Sequence, residues 1–478
     1  MSEPPEIQTC AGRWETKAVN QKDIVIIGGG SAGYVAAIHA SHLGAEVALV
    51  EKDKLGGTCL NRGCIPTKAL ARSAEVLLEA KKANDFGIEA NNIRIDFSKI
   101  MAHKSKVVSQ LVSGVEQLMK ANRISVYRGT GRILSPHLVK VNDEEIATRK
   151  LIIATGSEST PLPIPGSNLP GVLSTDEILE LTELPESLVI IGGSYVGVEF
   201  ASIFNALGTR VTIIKRRPLR LEPIDEEVGR RFAQTLPRQG IEVKIGAAVK
   251  AIERKGAVLS VLWDSPEGEQ RVDGQMVLMA TGRAPYTKNL GLSELGIQMG
   301  QGAIKVNEYL ETNIKDVYAI GDVLGKNMLA HVASYEGEVA VENALDHPRQ
   351  ADYRAVPNCI FAQPEIAGVG MTEKEVTEGK IPHKVSKFPF VACGRAVAMG
   401  QTTGMVKMIC HADDGIVLGL HIMGPHASDL IAEGVLAVQL GATAEDIVHT
   451  IHAHPTLPEA VRETAMGQLN GAIHFLRV

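Results

Sequence analysis

The 478-residue sequence lacks three features that would each point to a particular class of protein. It has only six cysteines, too few for the disulfide framework of a secreted protein, so a reducing cytoplasm is the expected location. No apolar run approaches the roughly 18 residues that cross a bilayer, which excludes a membrane-spanning helix. The net charge of −6 provides no excess of cations for nucleic acid. We therefore expect neither a membrane nor a nucleic acid as a partner.

The N-terminal residues also lack the apolar core of a secretory signal. We interpret residues 1–22 as an N-terminal extension, with a short docking arm as the alternative. The whole chain contains 45% hydrophobic and 22% charged residues, which is the balance of an ordinary globular protein. Its length predicts roughly three domains.

A glycine-rich turn follows the first apolar run of the chain, and a helical run follows the turn. Gly28 allows a tight turn, Gly30 lets the backbone approach a pyrophosphate, and Gly33 lets the helix pack against the strand. Glu51 ends the next predicted strand, 51 − 28 = 23 residues after the first glycine, where an acid binds ribose hydroxyls. Strand, turn, helix and acid together predict a dinucleotide-binding module.

The same pattern recurs in the middle of the chain. An apolar run at 188–191 leads into a turn with three glycines, and a helical run follows. The glycines of this turn are Gly192, Gly193 and Gly197. Ser194 stands where the middle glycine of the first turn was, and its small side chain leaves room for a phosphate. Two modules predict two nucleotide cofactors, with one cofactor and one decayed copy as the alternative.

The ribose position carries opposite charges in the two modules. In the second module it lies at 215 − 192 = 23 residues after the first glycine. The cations there are Lys215, Arg216, Arg217 and Arg220. An acid at this position repels a 2′-phosphate, whereas cations favour one. We therefore expect NADP(H) ahead of NAD(H), with a solvated basic loop as the alternative.

Two cysteines five positions apart, Cys59 and Cys64, form the most distinctive motif of the sequence. Zinc-binding cysteines more often lie two to four residues apart and need a second pair. On a regular helix five residues rise about 7.5 Å, whereas a disulfide needs Cα atoms roughly 4.4–6.8 Å apart. We therefore predict a redox-active disulfide on a helix distorted at Gly63, with two inert buried thiols as the alternative.

Near the C-terminus, His454 precedes Glu459 by five residues. Thr456 and Glu459 have the spacing of a capping box, which fixes the start of a helix. A carboxylate held there can orient the His454 imidazole so that it takes a proton from a thiol. No third ligand is suggested near His452 and His454, so we expect no metal site.

The last part of the chain, from residue 357 onward, carries no nucleotide motif. Strand-like pieces alternate there with helical runs, which predicts a third domain. Upstream of it, Gly321 and Asp322 end another predicted strand. Asp322 is suited to hold a ribityl hydroxyl of a flavin. The alternative is that Asp322 only stabilises a turn.

From residue 23 to the C-terminus the sequence resembles the pyridine nucleotide–disulfide oxidoreductases. The resemblance rests on the cysteine motif at 57–68, both glycine turns, the Gly-Asp strand end and the segment 452–459. It implies an α/β fold with two Rossmann-like domains, for FAD and NAD(P), and a C-terminal α+β dimerisation domain. The implied domains are 23–160 and 284–355 for FAD, 161–283 for NAD(P), and 356–478 for the interface.

Within that family, the cysteine and histidine motifs resemble those of members that oxidise dihydrolipoamide with NAD(P)+. The resemblance implies that Cys59 exchanges with the substrate sulfur and that Cys64 lies against the flavin. His454, oriented by Glu459, would be the base. This active site joins the cysteines of one subunit to the histidine of the other, so we expect a homodimer. The expected protein partner carries a lipoyl group, in a 2-oxoacid dehydrogenase or a glycine system.

The resemblance assigns further residues to the cofactors. Lys68, paired with Glu199, would lie near the reactive nitrogen of the flavin, and Tyr195 would cover the flavin until nicotinamide displaces it. The implied FAD contacts are Gly28, Gly30, Ser31, Ala32, Gly33, Glu51, Lys52, Gly57, Thr58, Lys68, Gly131, Thr155, Gly156, Asp322 and Ala330. The implied nicotinamide-nucleotide contacts are Gly192, Gly193, Tyr195, Val196, Gly197, Lys215, Arg216, Val249 and Gly282.

Two positions depart from the family pattern, and other functions of the same family remain as alternatives. Arg62 replaces a usually apolar residue, and Lys215 replaces the usual glutamate, which puts the customary NAD preference in doubt. An NADPH-dependent reductase of low-molecular-weight disulfides, similar to glutathione reductase, would use the same cysteines and base. A mercuric reductase is disfavoured because residues 470–478 contain no cysteine pair. A further alternative is a flavin-binding interaction protein without turnover, in which the cysteines and His454 would have no function.

Overall fold

The computed structural model describes residues 21–219, 221–266 and 268–476. Residues 1–20 of the predicted N-terminal extension and Arg220 of the basic loop lie outside the described residues. Contacts within the chain divide it into two units. The first unit contains the described residues up to Leu55, with Gln117–Thr155 and Thr287–Arg349, and the second contains Gly56–Glu116, Gly156–Tyr286 and the described residues from Gln350 onward. The domain boundaries expected from the sequence stay a prediction.

The regular elements are as follows. The strands are β1 (Gln21–Ile27), β2 (Val47–Glu51), β3 (Ser125–Arg128), β4 (Gly131–Ser135), β5 (Leu138–Val141), β6 (Glu144–Ile153), β7 (Ser157–Ser159), β8 (Val172–Ser174), β9 (Ser187–Ile191), β10 (Arg210–Lys215), β11 (Glu242–Ile245), β12 (Ala248–Lys255), β13 (Val258–Ser265), β14 (Gly268–Gly274), β15 (Met276–Met279), β16 (Arg283–Pro285), β17 (Met299–Gly300), β18 (Ala303–Ile304), β19 (Val317–Ala319), β20 (Asn358–Ile360), β21 (Glu365–Gly370), β22 (His383–Pro389), β23 (Met405–His411) and β24 (Val417–Gly424). The helices are α1 (Ser31–His42), α2 (Gly57–Arg62), α3 (Cys64–Lys81), α4 (Phe97–Ala121), α5 (Tyr195–Leu207), α6 (Glu226–Ala233), α7 (Thr235–Arg238), α8 (Ala330–Ala344), α9 (Glu373–Glu378), α10 (Gly394–Ala398), α11 (Ala427–Leu440), α12 (Ala444–His449) and α13 (Glu459–Gln468).

The first unit is built on a seven-stranded sheet in the order β3-β2-β1-β6-β5-β4, with β19 paired to β6. β1 pairs in parallel with β2 and β6, and α1 connects β1 to β2. The central strand β1 is apolar on both faces, and Ile24, Val25 and Ile26 are fully buried. Burial on both faces is typical of a parallel sheet covered by helices. The strand, turn and helix predicted from the first glycine motif are therefore confirmed.

The second unit contains the matching module. Its parallel sheet has the order β11-β10-β9-β15-β8, and α5 connects β9 to β10. Phe200 and Phe204 of α5 are buried, and their ring centroids lie 6.4 Å apart. The antiparallel sheet β12-β13-β14 adds Trp263 to a core that includes Val189 and Ile191 of β9. The predicted second dinucleotide module is therefore also confirmed.

The C-terminal part of the second unit has a different architecture. Its five strands form an antiparallel sheet in the order β20-β21-β24-β23-β22. α11 packs on β21 and β24, and α13 packs on β22 and β23. Phe388 and Phe390 are buried in the resulting core. Two parallel α/β modules and an antiparallel α+β part confirm the predicted fold class. No helix in the described part of the chain has the length and apolar character needed to cross a membrane.

A buried lysine ties the second nucleotide module to the antiparallel part within the second unit. Lys407 of β23 has a side chain only 1% exposed, and its Nζ lies 2.7 Å from Oδ1 of Asp225 and 2.6 Å from Oε2 of Glu373. Asp225 also accepts from the Glu227 N–H at the start of α6. Burial raises the pKa of Asp225, but the hydrogen bonds from Lys407 and the Glu373 N–H outweigh it and hold the pKa below its usual range.

Removing this lysine leaves the buried Asp225 carboxylate without its cation. We expect Lys407→Met to lower the free energy of unfolding by roughly 3–5 kcal/mol, the cost of an uncompensated buried charge. The exposed Lys374, paired with Glu226 and Glu378, is a matched control, and Lys374→Met should cost about 0–1 kcal/mol. Urea unfolding of the purified variants measures both values. Equal losses in the two variants would contradict the assigned role of Lys407.

Candidate active site

The first glycine turn is shaped so that only glycine fits. Gly28 has a φ of 110°, and a Cβ added there would lie 2.2 Å from the carbonyl oxygen of Ala154. A Cβ on Gly33 would lie 1.7 Å from the carbonyl oxygen of Gly28. α1 begins at Ser31 with Gly30 as its N-cap, so no side chain caps the first N–H groups of the helix. These N–H groups and the helix dipole favour a phosphate, which fits the pyrophosphate of a dinucleotide.

The acid of the first module is fixed by this turn. Glu51 is 8% exposed at the end of β2. Its Oε2 accepts from the Gly29 N–H at 2.6 Å, and its Oε1 accepts from the Asp53 N–H at 2.7 Å. The carboxylate is thus held beside the glycine turn, where a ribose acid of a dinucleotide fold belongs.

The second glycine turn repeats the geometry of the first. Gly192 has a φ of 113°, and its Cβ would lie 2.2 Å from the carbonyl oxygen of Ala280. A Cβ on Gly197 would lie 2.4 Å from the carbonyl oxygen of Gly192. α5 begins at Tyr195 with Ser194 as its N-cap, and the Ser194 side chain makes no capping hydrogen bond. In both modules a side chain at these glycines would collide with the backbone of the turn or of the neighbouring strand end, so the close packing of turn, strand and helix requires glycine.

Lys215 is the structural counterpart of Glu51 with the opposite charge. It ends β10, and its Nζ donates to the carbonyl oxygen of Gly193 at 3.0 Å. Where Glu51 accepts from the N–H of the second glycine in its turn, Lys215 donates to the carbonyl of the second glycine in the other turn. Burial lowers the pKa of Lys215. Arg216 and Arg217 are exposed beside it.

The two cysteines lie on either side of a broken helix. α2 ends at Arg62, α3 begins at Cys64, and Gly63 between them has φ −143° and ψ −112°, outside the helical region. The predicted distortion at Gly63 is therefore confirmed. Cys59 and Cys64 are both in the thiol form in this structure, and both are half-buried. The disulfide stays a prediction.

The electrostatic environment of Cys64 favours its thiolate. The hydrogen bond with Cys59 and, to a smaller extent, the Lys68 ammonium lower the pKa of the Cys64 thiol to about 7 against the opposing effect of burial. Lys68 lies four residues after Cys64, on the same face of α3. A thiol with a pKa near 7 is substantially ionised at neutral pH, which is the form that attacks a disulfide and leaves from one.

Lys68 and Glu199 form the predicted ion pair. Nζ of Lys68 lies 3.1 Å from Oε1 and 3.0 Å from Oε2 of Glu199. The Glu199 side chain is 7% exposed and the Lys68 side chain 31% exposed. The pair joins α3, which carries the cysteine, to α5 of the nucleotide module. Because Lys68 also lowers the pKa of Cys64, the pair is placed to act on the thiolate.

Tyr195 stands at the start of α5, and its hydroxyl donates to the carbonyl oxygen of Glu222. The ring is half-buried, and burial raises the pKa of its hydroxyl. Val196 beside it is 38% exposed. This hydrogen bond holds the outer end of the ring, and it would have to break before the ring could move away. The predicted covering role of Tyr195 stays a prediction.

His454 and Glu459 are paired as predicted, but only one of the two hydrogen bonds of the predicted capping box is present. His454 Nδ1 lies 2.8 Å from Oε1 of Glu459, and Oε2 of the same carboxylate accepts from the Thr456 N–H at 2.8 Å. The Thr456 hydroxyl donates to the carbonyl oxygen of Ala453 and caps nothing, because the N-cap of α13 is Pro458. Glu459 is thus held by the chain that precedes α13, and its second oxygen orients the imidazole.

Comparison with known proteins decides the family. The model of the pyridine nucleotide-disulphide oxidoreductases matches residues 22–337, and the model of the dimerisation domain of that family matches residues 356–465. The chain belongs to this family. As a member it is a flavoprotein disulfide oxidoreductase that binds FAD and a pyridine nucleotide, and it carries the family's dimerisation domain.

Individual relatives cover nearly the whole chain. The sequence is 41% identical over 471 residues to a dihydrolipoyl dehydrogenase of Bacillus subtilis, with 95% of this chain and 99% of the relative covered. It is 39% identical over 466 residues to the mitochondrial dihydrolipoyl dehydrogenase of Pisum sativum, with 95% and 93% covered. The solved structure of the HOCl-induced flavoprotein disulfide reductase RclA from Escherichia coli matches with a TM-score of 0.84 at 29% identity, covering 93% of this chain and 99% of that one.

The other cofactor residues predicted from the family resemblance lie at the ends of strands and helices. In the first unit, Ser31 and Ala32 begin α1, Lys52 follows β2, Gly131 begins β4, Thr155 follows β6, Asp322 follows β19, and Ala330 begins α8. In the second unit, Gly57 and Thr58 begin α2, Gly156 precedes β7, Val249 lies in β12, and Gly282 precedes β16. Their contacts with the cofactors stay predictions.

One residue that the sequence analysis missed is Arg283, at the start of β16. Its guanidinium donates to the Ser157 hydroxyl at 2.8 Å, to the Ser157 carbonyl oxygen at 2.9 Å and to the Thr58 hydroxyl at 3.4 Å. It therefore connects β7 and β16 to the residue that precedes Cys59. A cation directly after Gly282 was the available signal.

His452, two residues before His454, is held by other protein groups. The His452 ring contacts Oε1 of Glu433 at 2.9 Å and the carbonyl oxygen of Thr450 at 2.9 Å, so its two nitrogens are engaged by protein groups. Among the described residues, no group of three or more His, Cys, Asp and Glu side chains is placed to hold a metal ion.

The hydrogen bond from Cys59 to Cys64 can be tested by thiol chemistry. In the reduced protein, alkylation of Cys64 by iodoacetamide should increase with pH through a midpoint near 7, because only the thiolate reacts. Cys59→Ala removes the hydrogen bond, and the midpoint should rise toward the ordinary thiol pKa of about 8.5. Cys59→Ser keeps a donor and should retain a low midpoint. Peptide mass spectrometry identifies the alkylated residue, and an unshifted midpoint in Cys59→Ala would refute the hydrogen bond.

Proposed function

We propose that this enzyme oxidises dihydrolipoamide to lipoamide with NAD(P)+. The observation that carries the proposal is the Cys59–Cys64 pair, which a break in the helix brings within hydrogen-bond reach. Such a pair can cycle between a dithiol and a short disulfide, so a dithiol substrate can exchange with it. The relatives named dihydrolipoyl dehydrogenase, including one 41% identical over 471 residues, support this choice of substrate.

The sulfur exchange begins with the histidine. His454 takes the proton of one substrate thiol, while Glu459 orients the ring and stabilises the imidazolium. The resulting substrate thiolate attacks Sγ of Cys59 in the Cys59–Cys64 disulfide, forming a mixed disulfide and releasing Cys64 as a thiolate. The second substrate thiol then displaces Cys59, which takes up a proton. The substrate leaves as a cyclic disulfide, oxidised by two electrons, and the enzyme pair is reduced by two.

The surroundings of Cys64 stabilise the thiolate that this exchange releases. The Cys59 thiol donates to it, and the Lys68 ammonium adds a positive charge that Glu199 holds in place. FAD, when bound, supplies the two-electron carrier between the reduced cysteines and the nicotinamide. The glycine turn at Gly28 would hold its pyrophosphate at the start of α1, where no side chain caps the first N–H groups of the helix.

We also propose a homodimer in which His454 serves the cysteines of the second subunit. The dimerisation domain at residues 356–465 supports the dimer. The His454 side chain is 78% exposed in the single chain and is already aligned by Glu459, which suits a residue presented to another subunit. On this proposal a monomer would be inactive.

The proposed protein partner is a lipoyl-bearing subunit of a 2-oxoacid dehydrogenase or a glycine system. The exchange mechanism needs a dithiol carrier that delivers both sulfurs to one site, and a tethered dihydrolipoyl group has this chemistry. We propose the cytoplasm as the location, because a reducing compartment suits a pair of catalytic cysteines.

The direct test is steady-state oxidation of dihydrolipoamide by the purified, FAD-loaded protein. We expect turnover in the wild type, essentially no turnover in Cys64→Ser, and a fall of about 100-fold or more in His454→Gln, because general acid–base catalysis contributes roughly that factor. Cys410→Ser, at a cysteine of β23 outside the proposed site, is the matched control and should keep its activity. Full activity in Cys64→Ser would contradict the proposed mechanism.

A second candidate function is reduction of a low-molecular-weight disulfide by NADPH. The cation at Lys215 favours it, because such a reductase would draw its electrons from NADPH. The solved disulfide reductase RclA has the same fold. Turnover with glutathione disulfide and NADPH, without turnover of dihydrolipoamide, would replace the first proposal with this one.

We further propose that the second module prefers NADP(H). Glu51 supplies a carboxylate to the N–H of Gly29, whereas Lys215 supplies an ammonium at the equivalent place beside Gly193. A 2′-phosphate would be repelled by the first arrangement and attracted by the second. Arg216 is exposed next to Lys215 and adds a further positive charge.

Lys215→Glu should reverse this preference. The ratio of kcat/KM for NADP+ to that for NAD+ should fall by about tenfold or more, because a charge-assisted hydrogen bond is replaced by repulsion. Lys215→Met removes the attraction without adding repulsion and should give an intermediate ratio. Kinetics with both nucleotides at matched concentrations measure the three ratios. If the three proteins have the same ratio, the basic loop is a solvated surface.

A further inference from the structure

One aromatic residue contacts both members of the Lys68–Glu199 ion pair. Phe361 directly follows β20, in the antiparallel part of the second unit. Nζ of Lys68 lies 4.3 Å from the centroid of the Phe361 ring. The backbone N–H of Phe361 donates to Oε1 of Glu199 at 2.9 Å. A single residue therefore holds the cation through its ring and the anion through its backbone.

The contact between the Phe361 ring and the Lys68 ammonium depends on the distance between them. The face of an aromatic ring attracts an ammonium through the ring quadrupole, and a centroid distance within about 6 Å is the range in which this attraction acts. The ammonium is only partly desolvated, since 31% of the Lys68 side chain is exposed. An aliphatic side chain of similar size would fill the same space and provide no attraction to the ammonium.

The residues on either side of Phe361, and not its ring, pack the end of β20 into the core. Ile360 and Ala362 on either side are each 1% exposed. Phe361 itself is half-buried. The packing of the segment into the core therefore belongs to Ile360 and Ala362, and the ring of Phe361 is left for the ion pair.

We propose that Phe361 is a positioning residue whose ring holds the Lys68 ammonium against Glu199 and at the place from which its charge acts on Cys64. The inference rests on the proposed function only in taking Cys64 as the thiolate of the reaction. Three elements then define the position of one charge: α3 supplies Lys68, α5 supplies Glu199, and the segment after β20 supplies the ring.

The charged and titratable groups around Cys64 set the direction of the expected effect. Cys59 and Lys68 lower the pKa of Cys64, whereas burial and Glu199 raise it. Loss of the ring lets the Lys68 ammonium move away from its present position, while Glu199 keeps its backbone hydrogen bond. The balance then shifts toward the effects that raise the pKa, and the thiolate becomes less populated at neutral pH.

The test compares Phe361→Leu, which removes the ring, with Phe361→Tyr, which keeps it. The readout is the pH midpoint for iodoacetamide alkylation of Cys64 in the reduced, FAD-loaded protein, with the peptide identified by mass spectrometry. We expect a midpoint higher by about half a unit or more in Phe361→Leu, a roughly threefold loss of thiolate well below the midpoint. Phe361→Tyr should titrate like the wild type, and Phe361→Met is a second ring-free variant if Phe361→Leu does not fold.

Ile360→Val is the matched control for a packing defect in the same strand. It should lower thermal stability without moving the midpoint. A wild-type midpoint in Phe361→Leu, an equal shift in Phe361→Tyr, or the same shift in Ile360→Val would each overturn the proposal. Alkylation does not require turnover of dihydrolipoamide, so a shift confined to the ring-free variants supports the proposal even if the proposed substrate is wrong.

Discussion

The chemistry of this protein depends on the interruption of one helix. A five-residue spacing on a continuous helix would keep the two sulfurs too far apart for a bond. Because the chain leaves the helical region at Gly63, Cys59 ends up beside Cys64 and donates a hydrogen bond to it. The contact that stabilises the thiolate in the reduced form would also permit the proposed disulfide in the oxidised form. Both halves of the proposed thiol–disulfide cycle therefore depend on one local break.

The thiolate is further controlled by groups that lie far away in the sequence. Lys68 comes from the same helix as Cys64, but Glu199 and Phe361 come from a nucleotide-module helix and from the antiparallel part. Their meeting requires both parts of the second unit to be packed correctly. Lys407 contributes to that packing, because its buried ammonium ties β23 to the start of α6 through Asp225.

The two nucleotide modules show how one scaffold accepts opposite charges. The glycine turns at Gly28 and Gly192 have nearly the same φ and nearly the same close approach to a following strand. The residue that reaches back to each turn is an acid in one case and a lysine in the other. The backbone of the turn offers both an N–H and a carbonyl, so Glu51 and Lys215 each find a partner there. Ligand preference is thereby separated from the fold.

The sequence by itself determined the local elements of this protein, because glycine spacing, apolar runs and the five-residue cysteine interval act between near neighbours. It predicted both modules, the break at Gly63 and the pairing of His454 with Glu459. It was wrong about the Thr456 hydroxyl in the predicted capping box, because the path of the surrounding chain decides which partner a hydroxyl finds. Only the tertiary structure decided the contacts of Arg283 and Phe361, since each joins segments more than 100 residues apart and leaves no periodic signal.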